Sequence, residues 1–452
     1  MATPAPQTAF KCSKIVLPNE VISGAVIVNT EGKICKIVTT EEQWKTLPKT
    51  IKIIEVTRGV LMAGIVDSHV HINSPGRSEW EDFPCATRAA AAAGVTTIAD
   101  MPLNSIPSTT TLENLKVKAD VARGTVYVDV AFWGGVVPNN QNDLVEMIAA
   151  GVVGFKCFLC PSGVDEFPNV TEEDLEKALQ VLEKTDSVLA FHAECDLDEP
   201  CADSQQNPEE YKTYLATRPP EMELKALKLI MKMTEKYKAR YHIVHVSSAQ
   251  GVPLLDEARA RGVRITAETC PHYLTLQAET VPHTATQFKC APPVRDSRNR
   301  EELWECIKRG GINMVVSDHS PCTPVLKTKS FLQAWGGISS LQFGLPLIWT
   351  RAAALGLSLS EVSTLMSVAP ARLCSLQGSK GAIQEGLDAD LIVFDPDGSF
   401  VVTQDSILYK NKVSPYLGMT LKGKVLKTFL RGQLVFEEGV FSEQPIGKLL
   451  LK

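Results

Sequence analysis

Residues 60–71 read Val-Leu-Met-Ala-Gly-Ile-Val-Asp-Ser-His-Val-His, a mostly apolar and β-branched run that ends in two histidines. A continuous run of this kind is typical of a strand that is buried on both faces. His69 and His71 stand two positions apart at its carboxyl end, and side chains with that spacing on a strand point to the same face. The stretch therefore predicts a buried strand whose end presents two imidazoles to one point.

The same kind of run recurs between about residues 59 and 318, and each run is separated from the next by a longer helical pattern. The eight runs are Val60–Ser68, Val95–Met101, Val126–Trp133, Val152–Phe158, Ser187–His192, Tyr241–Val246, Val263–Thr269 and Ile312–Ser317. Alternating strands and helices are the signature of βα units and a parallel sheet. Eight such units predict a (β/α)8 barrel, whose catalytic groups come from the carboxyl ends of the strands.

The two ends of the chain differ from this middle part, because both read as short β-rich segments separated by turns. Neither end holds enough strands for a stable sheet of its own, so we expect them to pair. The predicted organisation is a (β/α)8 barrel over residues 59–375 and a small β-sandwich domain formed by residues 1–58 and 376–452. The expected fold class is therefore α/β.

Composition argues against several classes of protein. Hydrophobic residues make up 44% and charged residues 22% of the 452 positions, which is typical of a globular chain rather than a disordered or membrane-spanning one. The formal net charge is −6, and no lysine/arginine cluster lies beside aromatic residues, so nucleic acid is not an expected partner. The sequence contains no apolar stretch of about 20 residues, so we expect no membrane-spanning helix. A small molecule is the expected partner.

The cysteines and the first residues bear on the compartment. Twelve cysteines are scattered without the regular spacing of a secreted disulfide framework, which indicates reduced thiols and an intracellular location. Residues 1–6 are not cationic and precede no long apolar run, so we expect no secretory signal. The sequence does not distinguish among the cytosol, the peroxisome and the mitochondrion. Cys157 and Cys160 form a Cys-x-x-Cys pair, for which a redox role is an alternative interpretation.

Polar side chains gather at the predicted strand ends. They are His69 and His71 on the first run, Lys156 late in the fourth, His192 on the fifth, His245 on the sixth and Asp318 after the eighth. A single buried histidine is more often a hydrogen-bonded core residue than a ligand. Four histidines and an aspartate on one rim are hard to explain by packing, since buried polar groups without partners cost free energy. Imidazole and carboxylate ligands suit zinc and other divalent ions, so the pattern predicts a metal site.

Several motifs, in this order, resemble those of the urease-related, metal-dependent amidohydrolases. They are Gly64–His71, Gly154–Lys156, His192–Glu194, His245–Ser248, Asp318 and the tail segment Gly381–Leu391. The resemblance implies two divalent metal ions, with zinc first and cobalt, manganese, nickel or iron as alternatives. A lysine ammonium has no lone pair for a metal. The resemblance therefore also implies that Lys156 is carboxylated on its side-chain nitrogen and bridges the two ions.

By the same resemblance, His69, His71 and Asp318 would hold the first ion, and His192 and His245 the second. The ions would share a hydroxide that attacks the substrate carbonyl, and Asp318 would accept its proton and deliver it to the leaving nitrogen. The implied reaction is hydrolysis of a cyclic amide. The family resemblance also implies a homo-oligomer, with a tetramer as the expected assembly.

Two positions bear on which ring is opened. Dihydroorotases of this family follow the paired histidines with an arginine that clamps the substrate carboxylate, and Asn73 stands at that position here. Hydantoinases and dihydropyrimidinases place a tyrosine five residues after the bridging lysine, and Pro161 stands there instead. The chain is most similar to the allantoinase group of the family, of animal type, above all through Ser317–Cys322. This implies opening of the hydantoin ring of allantoin to allantoate in purine breakdown, with hydantoinase and dihydroorotase activities as alternatives.

A neutral substrate rich in amide groups needs hydrogen bonds rather than a charged clamp. The candidate substrate-binding residues are Asn73, Asn104, Ser162, Ala291 and Gly336. The last two would act through backbone groups, by resemblance to hydantoinases. For Asn104 and Ser162 an ordinary role in a loop is the alternative.

The other four histidines divide into two pairs. His272 and His319 are candidates for residues that orient ligands or substrate from outside the site. Strand alternation places His242 on the face opposite to His245, and His283 lies in a Pro/Thr loop, so neither has a predicted role. A rival of another class is a metal-free scaffold on the same fold, against which the complete set of predicted ligands argues.

Overall fold

The amino-terminal strands belong to a mixed sheet that both chain ends build. The computed structural model describes residues 4–198 and 207–452. The first elements are β1 (Pro6–Val16), β2 (Val21–Asn29), β3 (Ile34–Val38), α1 (Glu41–Lys45), β4 (Lys52–Val56) and β5 (Val60–Ala63). β1 is central to this part of the sheet, since it pairs antiparallel with β2 and parallel with β4 and β5.

The next strands form the barrel wall, and each of them is short and almost completely buried. They are β6 (Ile65–Val70), β7 (Val95–Asp100), β8 (Asp129–Phe132), β9 (Gly134–Gly135), β10 (Phe155–Phe158), β11 (Val188–His192), β12 (Arg240–Ile243), β13 (Ile265–Thr269) and β14 (Met314–Val315). The paired strands of this group run parallel. Each of the eight predicted runs contributes a strand to this wall.

The barrel closes where its first and last strands meet. β6, β7 and β8 form one part of the wall, and β9 to β14 form the other. The amide of Val153 donates to the carbonyl of Phe132 at 2.9 Å and joins the two parts. On the other side Val70 forms a parallel bridge with His319, and the amide of His71 donates to the His319 carbonyl at 2.7 Å. Closure brings the carboxyl ends of the strands, and the polar residues that follow them, to one face.

Helices cover the outside of the barrel. They are α2 (Phe83–Ala92), α3 (Leu112–Ala122), α4 (Leu144–Ala150), α5 (Glu172–Leu182), α6 (Tyr211–Thr217), α7 (Pro220–Lys236), α8 (Val252–Ala260), α9 (Pro271–Thr275), α10 (Ser297–Lys308), α11 (Gly344–Ala352), α12 (Leu359–Ser363) and α13 (Ala369–Leu373). In α5, Thr171 and Asp174 form a capping box, and Leu175, Leu179 and Leu182 repeat at helical spacing on the buried face. Among the described residues, no helix is long and apolar enough to cross a membrane.

The carboxyl-terminal segment returns to the sheet that the amino terminus begins. Its strands are β15 (Leu391–Val401), β16 (Thr420–Leu430), β17 (Gln433–Glu437) and β18 (Val440–Phe441). β15 pairs antiparallel with β5, which gives the strand order β18-β17-β16-β15-β5-β1-β2-β3. The barrel and the small β-domain built from both chain ends confirm the predicted fold class. The domain limits 1–58, 59–375 and 376–452 stay a proposal.

Residues 60–68, predicted as one strand, belong to two strands of different sheets. Gly64 separates them, so that β5 lies in the terminal sheet and β6 in the barrel. Glycine is required here because a Cβ atom would lie 2.2 Å from the Oγ1 atom of Thr96. The amide of Gly64 also donates to the carbonyl of Asp390 at 2.8 Å. The sequence shows no break because both strands are buried on both faces.

A buried ion cluster joins the barrel to the carboxyl-terminal segment. The ammonium of Lys380 lies 2.5, 2.9 and 2.7 Å from carboxylate oxygens of Asp129, Asp388 and Asp390. Arg431 adds a second cation, 2.6 Å from Asp129. Burial alone would lower the pKa of Lys380, but the three carboxylates outweigh burial and raise that pKa above its usual value. Lys380 is therefore charged and holds three anions together.

Replacing Lys380 by methionine should destabilise the fold by about 3–5 kcal/mol, because buried carboxylates lose their central cation. The urea midpoint of unfolding, followed by circular dichroism, measures this loss. Lys427→Met is the matched control, since Lys427 pairs with Glu437 at a partly exposed position and such pairs contribute about 0–1 kcal/mol. Equal midpoint shifts for the two variants would contradict the structural role given to Lys380.

Candidate metal centre

The six predicted metal ligands all lie at the carboxyl end of the barrel. His69 is in β6 and His71 follows it, Lys156 is in β10, His192 ends β11, His245 follows β12 and Asp318 follows β14. Each of these residues is at most 7% exposed. The parallel strands place them there because their carboxyl ends share one rim of the barrel.

One group of ligand atoms surrounds the carboxylate of Asp318. Its Oδ1 atom lies 3.2 Å from Nε2 of His69 and 3.5 Å from Nε2 of His71. Within residues 4–198 and 207–452, Nε2 of His69 has no hydrogen-bond partner, although the residue is fully buried. Buried polar atoms are normally satisfied. A bare imidazole nitrogen beside a carboxylate oxygen therefore fits a divalent cation.

A second group consists of two imidazoles from neighbouring strands. Nδ1 of His192 lies 3.0 Å from Nε2 of His245. Burial lowers the pKa of both side chains, so both rings are neutral and keep a lone pair that can bind a metal. The ring centroids of His245 and His69 are 5.4 Å apart. The two groups therefore belong to one site.

Lys156 is a basic side chain placed among imidazoles. Burial is the main cause that lowers the pKa of His69 and of His245, and the nearby charge of Lys156 lowers both further. Its Nζ atom lies 5.2 Å from the ring centroid of Phe158, and that ring stacks on His192 at 4.5 Å. Burial lowers the pKa of Lys156 to about 8, because an ammonium is unfavourable away from water. Part of the Lys156 population is therefore an uncharged amine near neutral pH.

The outer nitrogen of His69 is held by a carboxylate that the sequence analysis does not single out. Glu268, on β13, lies 2.5 Å from Nδ1 of His69 and 2.9 Å from Nε2 of His242. Such a partner fixes the orientation of the ring and leaves Nε2 free for a metal. An acidic residue inside the buried run 263–269 was the available signal, since a buried carboxylate requires partners.

The structure corrects the placement of His242. Strand alternation put it on the face opposite to His245 and gave it no role, but it contacts the carboxylate that holds His69. The alternation ends with β12 at Ile243, and His245 has a φ of +38°, so the two histidines are not related by strand geometry.

His192 also has an outer partner. Its Nε2 atom lies 2.7 Å from Oε2 of Glu194, and Arg218 donates to the same carboxylate. Burial would raise the pKa of Glu194, but the charge of Arg218 and the hydrogen bond with His192 together outweigh burial and lower that pKa. Glu194 is therefore an anion that can orient His192. Sequence reasoning noted Glu194 only as part of a motif, and Arg218 was missed because it follows α6, far away along the chain.

Two predicted substrate-binding residues lie beside these ligands. Asn73 donates from Nδ2 to the carbonyl of Pro321 at 3.1 Å, and its Oδ1 atom has no partner in the described part of the chain. That amide oxygen can accept a hydrogen bond. Asn104 has its Nδ2 atom 3.5 Å from Nδ1 of His71. Both asparagines have a left-handed backbone, with φ of +65° and +68°, which asparagine adopts more readily than most residues.

The other three predicted substrate-binding residues are Ala291, Gly336 and Ser162, and the structure places the first two together and Ser162 in a loop of its own. A Cβ atom on Gly336 would lie 3.9 Å from the amide nitrogen of Ala291, so these two backbone positions are neighbours. The hydroxyl of Ser162 donates to the carbonyl of Phe167 at 2.5 Å and accepts from the amide of Val164 at 3.3 Å. Ser162 is therefore engaged within its own loop. The substrate-binding role of all five residues stays a prediction.

His272 and His319 are fully buried near the site. One ring nitrogen of His272 lies within 4.8 Å of a carboxylate oxygen of Asp318. Nε2 of His319 lies 3.3 Å from Oε2 of Glu81, and the His319 carbonyl accepts the amide of His71. The role predicted for these two histidines, to orient ligands or substrate, stays a prediction.

Cys157 and Cys160, the alternative redox pair, are buried free thiols. Burial raises the pKa of Cys160 to about 12 and that of Cys157 still further. Both thiols are therefore protonated and poor nucleophiles. This environment argues against a redox pair.

A (β/α)8 barrel that gathers buried histidines, a lysine and an aspartate at its carboxyl rim has the architecture of a metal-dependent hydrolase. Residues 60–435 match the amidohydrolase family. The chain is 45% identical to an allantoinase of Arabidopsis thaliana, over 97% of this chain and 90% of that one. It is 48% identical to a mitochondrial allantoinase of Aquarana catesbeiana, over 85% of this chain and 78% of that one. The solved L-hydantoinase (dihydropyrimidinase) of Arthrobacter aurescens superposes with a TM-score of 0.91 at 29% identity, covering 99% and 100% of the two chains.

The chain belongs to the amidohydrolase family. It is a hydrolase that acts on cyclic amides, and its substrate is a small molecule. The family relationship and the converging histidine and aspartate side chains imply a binuclear metal centre.

Proposed function

We propose that this chain hydrolyses allantoin, opening the hydantoin ring at a ring amide to give allantoate. The observation that carries the proposal is that four buried imidazoles from three strand ends gather beside Asp318 and Lys156. The relatives named allantoinase support the identity of the ring. A ring carrying a ureido group is neutral and offers several amide donors and acceptors, which suits a rim where Asn73 presents an open acceptor.

Two divalent ions, zinc as the first choice, would be held by two sets of residues. His69, His71 and Asp318 form one set, and His192 and His245 form the other. The uncharged amine of Lys156 can bond to the carbon of carbon dioxide and release one proton. The product is a carbamate anion, which would supply oxygen ligands to both ions. This assignment explains why a lysine lies at a buried position among imidazoles, where an ammonium would be poorly solvated.

When bound, the ions would lower the pKa of a coordinated water towards about 7 and polarise the ring carbonyl. Asp318 is the group that we propose to move the proton, since its carboxylate lies beside both His69 and His71. It accepts a proton from the attacking water and returns it to the ring nitrogen that leaves. Glu268 and Glu194 hold the rings of His69 and His192, so that the inner nitrogens keep their direction.

The residues at the barrel rim also favour a substrate ring without a carboxylate. Asn73 stands where related dihydroorotases have the arginine that clamps a carboxylate. The nearest arginine along this loop, Arg77, already donates to the carboxylate of Glu166. A carboxylated ring would therefore lack the arginine that pairs with it in dihydroorotases, at a cost of about 3 kcal/mol.

Turnover of allantoin, hydantoin, dihydrouracil and dihydroorotate, measured under equal metal loading, tests the assignment. Allantoin should be the preferred ring, and dihydroorotate should react about 100-fold more slowly or worse, since about 3 kcal/mol corresponds to that factor. Removal of metal with a chelator should abolish turnover, and added zinc should restore it. Preference for hydantoin or dihydroorotate over allantoin would overturn the substrate. A preparation that binds no metal would favour the scaffold alternative.

We also propose a homo-oligomer, with a tetramer as the expected assembly, and an intracellular location. The first rests on family resemblance, and light scattering of the purified chain measures it. The second is supported by the cysteines, since the eleven in residues 4–198 and 207–452 are free thiols. Fractionation of the source cells would choose among cytosol, peroxisome and mitochondrion.

A further inference from the structure

Three of the four histidines at the rim have an outer ring nitrogen held by another side chain. Glu268 holds His69 from a barrel strand, and Glu194 holds His192 directly after one. The outer partner of His71 is Asn104, whose Nδ2 atom lies 3.5 Å from Nδ1 of that ring. Amide orientation is assigned from the hydrogen-bond network, so the oxygen of Asn104 can equally face Nδ1–H and accept from it. Unlike the two glutamates, Asn104 comes from a loop.

The loop of Asn104 needs support from outside because its backbone is in the left-handed region, with a φ of +68°. That support is the guanidinium of Arg77, whose Nη1 atom donates to the carbonyl oxygen of Asn104 at 2.6 Å. The same nitrogen donates to the carboxylate of Glu166, in the loop after β10. One guanidinium therefore ties together the loops that follow β6, β7 and β10.

Several contacts fix Arg77 itself. Its amide donates to the carbonyl of Asn73 at 3.1 Å, and its guanidinium carbon lies 5.1 Å from the ring centroid of Trp80. Trp80 meets Trp335 edge to face, with centroids 4.8 Å apart. The Arg77 and Glu166 side chains are 18% and 23% exposed, so water competes only weakly for this pair.

We propose that Arg77 is a positioning residue for the metal centre, because it holds Asn104 in the conformation in which the asparagine amide orients His71. The inference rests on the proposed metal-binding role of His71. A residue that only contacts substrate would affect KM. A residue that orients a ligand from outside affects the retention of metal, by about 10- to 100-fold in comparable sites.

The test is the metal affinity of the purified full chain, measured by competition with a zinc chelator for Arg77→Met, Asn104→Ala and the double variant. Each single variant should lose about 10-fold or more in zinc affinity. The double variant should lose no more than about twofold beyond Asn104→Ala, since residues acting through one contact are not additive. The thermal midpoint of each variant shows whether it is folded.

Two further variants distinguish the effect of the Arg77–Asn104 hydrogen bond from a general effect on loop stability. Glu166→Gln removes the ion pair but keeps the bond to Asn104, so its zinc affinity should stay within about threefold of the wild type. Arg123→Met is the matched control, because Arg123 pairs with Asp120 on an exposed helix end and should leave zinc affinity unchanged.

Wild-type zinc affinity in Arg77→Met would overturn the inference. So would losses that multiply in the double variant, or an equal loss in Glu166→Gln. A wild-type chain that retains no zinc would overturn the proposed function together with this inference, whereas the other outcomes leave the proposed function intact.

Discussion

Replacing Lys156 by alanine should leave a folded barrel that no longer holds two metal ions and no longer turns over its substrate. Alanine has no amine to be carboxylated, so the carbamate that we propose as the shared ligand of the two ions cannot form. Activity should fall by more than about 100-fold, since the loss of even an outer partner of a metal ligand costs about 10- to 100-fold. Metal analysis of the purified variant, together with turnover of allantoin, measures both effects.

Lys156→Met is the control for misfolding in this test, because methionine fills nearly the same buried volume as lysine but has no amine. Both variants should show the circular dichroism spectrum of the wild type. Short carboxylic acids should restore part of the activity of Lys156→Ala, since they bring a carboxylate to the space that the side chain leaves. Unchanged metal content in both variants would rule out the bridging role of Lys156.

The second large effect is expected at Asp318, where asparagine keeps the shape of the side chain but accepts a proton far more weakly. Asp318→Asn should lower kcat by about 10²- to 10⁴-fold, which is the usual contribution of general acid–base catalysis. KM should change much less, because the amide still fills the same place beside His69 and His71.

Asp318 is also a proposed ligand, and metal content separates its two roles. In Asp318→Asn the set of His192 and His245 is intact, so at least one ion should remain bound. Asp318→Glu keeps the carboxylate but moves it, and it should recover less than about a tenth of kcat, because small displacements of a reacting group cost about 100-fold. Full activity of Asp318→Asn with normal metal content would exclude Asp318 as the proton carrier.

The order of strands and helices was predictable because the barrel strands are buried runs separated by helical patterns. The division at Gly64 was not predictable, since it depends on the contact with Thr96, more than 30 positions away along the chain. Membership of β5 in the terminal sheet likewise depends on β15, which joins it only in three dimensions. A run of apolar residues predicts that a strand is buried, but it does not predict to which sheet that strand belongs.

The positions of the candidate metal ligands at the barrel rim were predictable for a related reason. Strand ends of a parallel barrel meet at one rim, so the position of His192 along its run already places it. The outer partners follow no such rule. Asn104 and Glu166 lie in loops, and Arg77 reaches them through one guanidinium whose direction the sequence does not encode. Loop geometry depends on the whole rim and escapes local patterns.

The pairing of β5 with β15 has a consequence for protein synthesis. Ala63 and Leu391 are register partners in this pair, so the ribosome must make all the intervening residues before the edge of β5 can be covered. At about 5–20 residues per second this interval lasts on the order of 20–60 s. During that time the nascent chain carries an open, apolar strand edge, which is a template for aggregation. Yields of this protein in a fast-translating host should therefore improve with lower temperature or added chaperones more than its final stability alone would suggest.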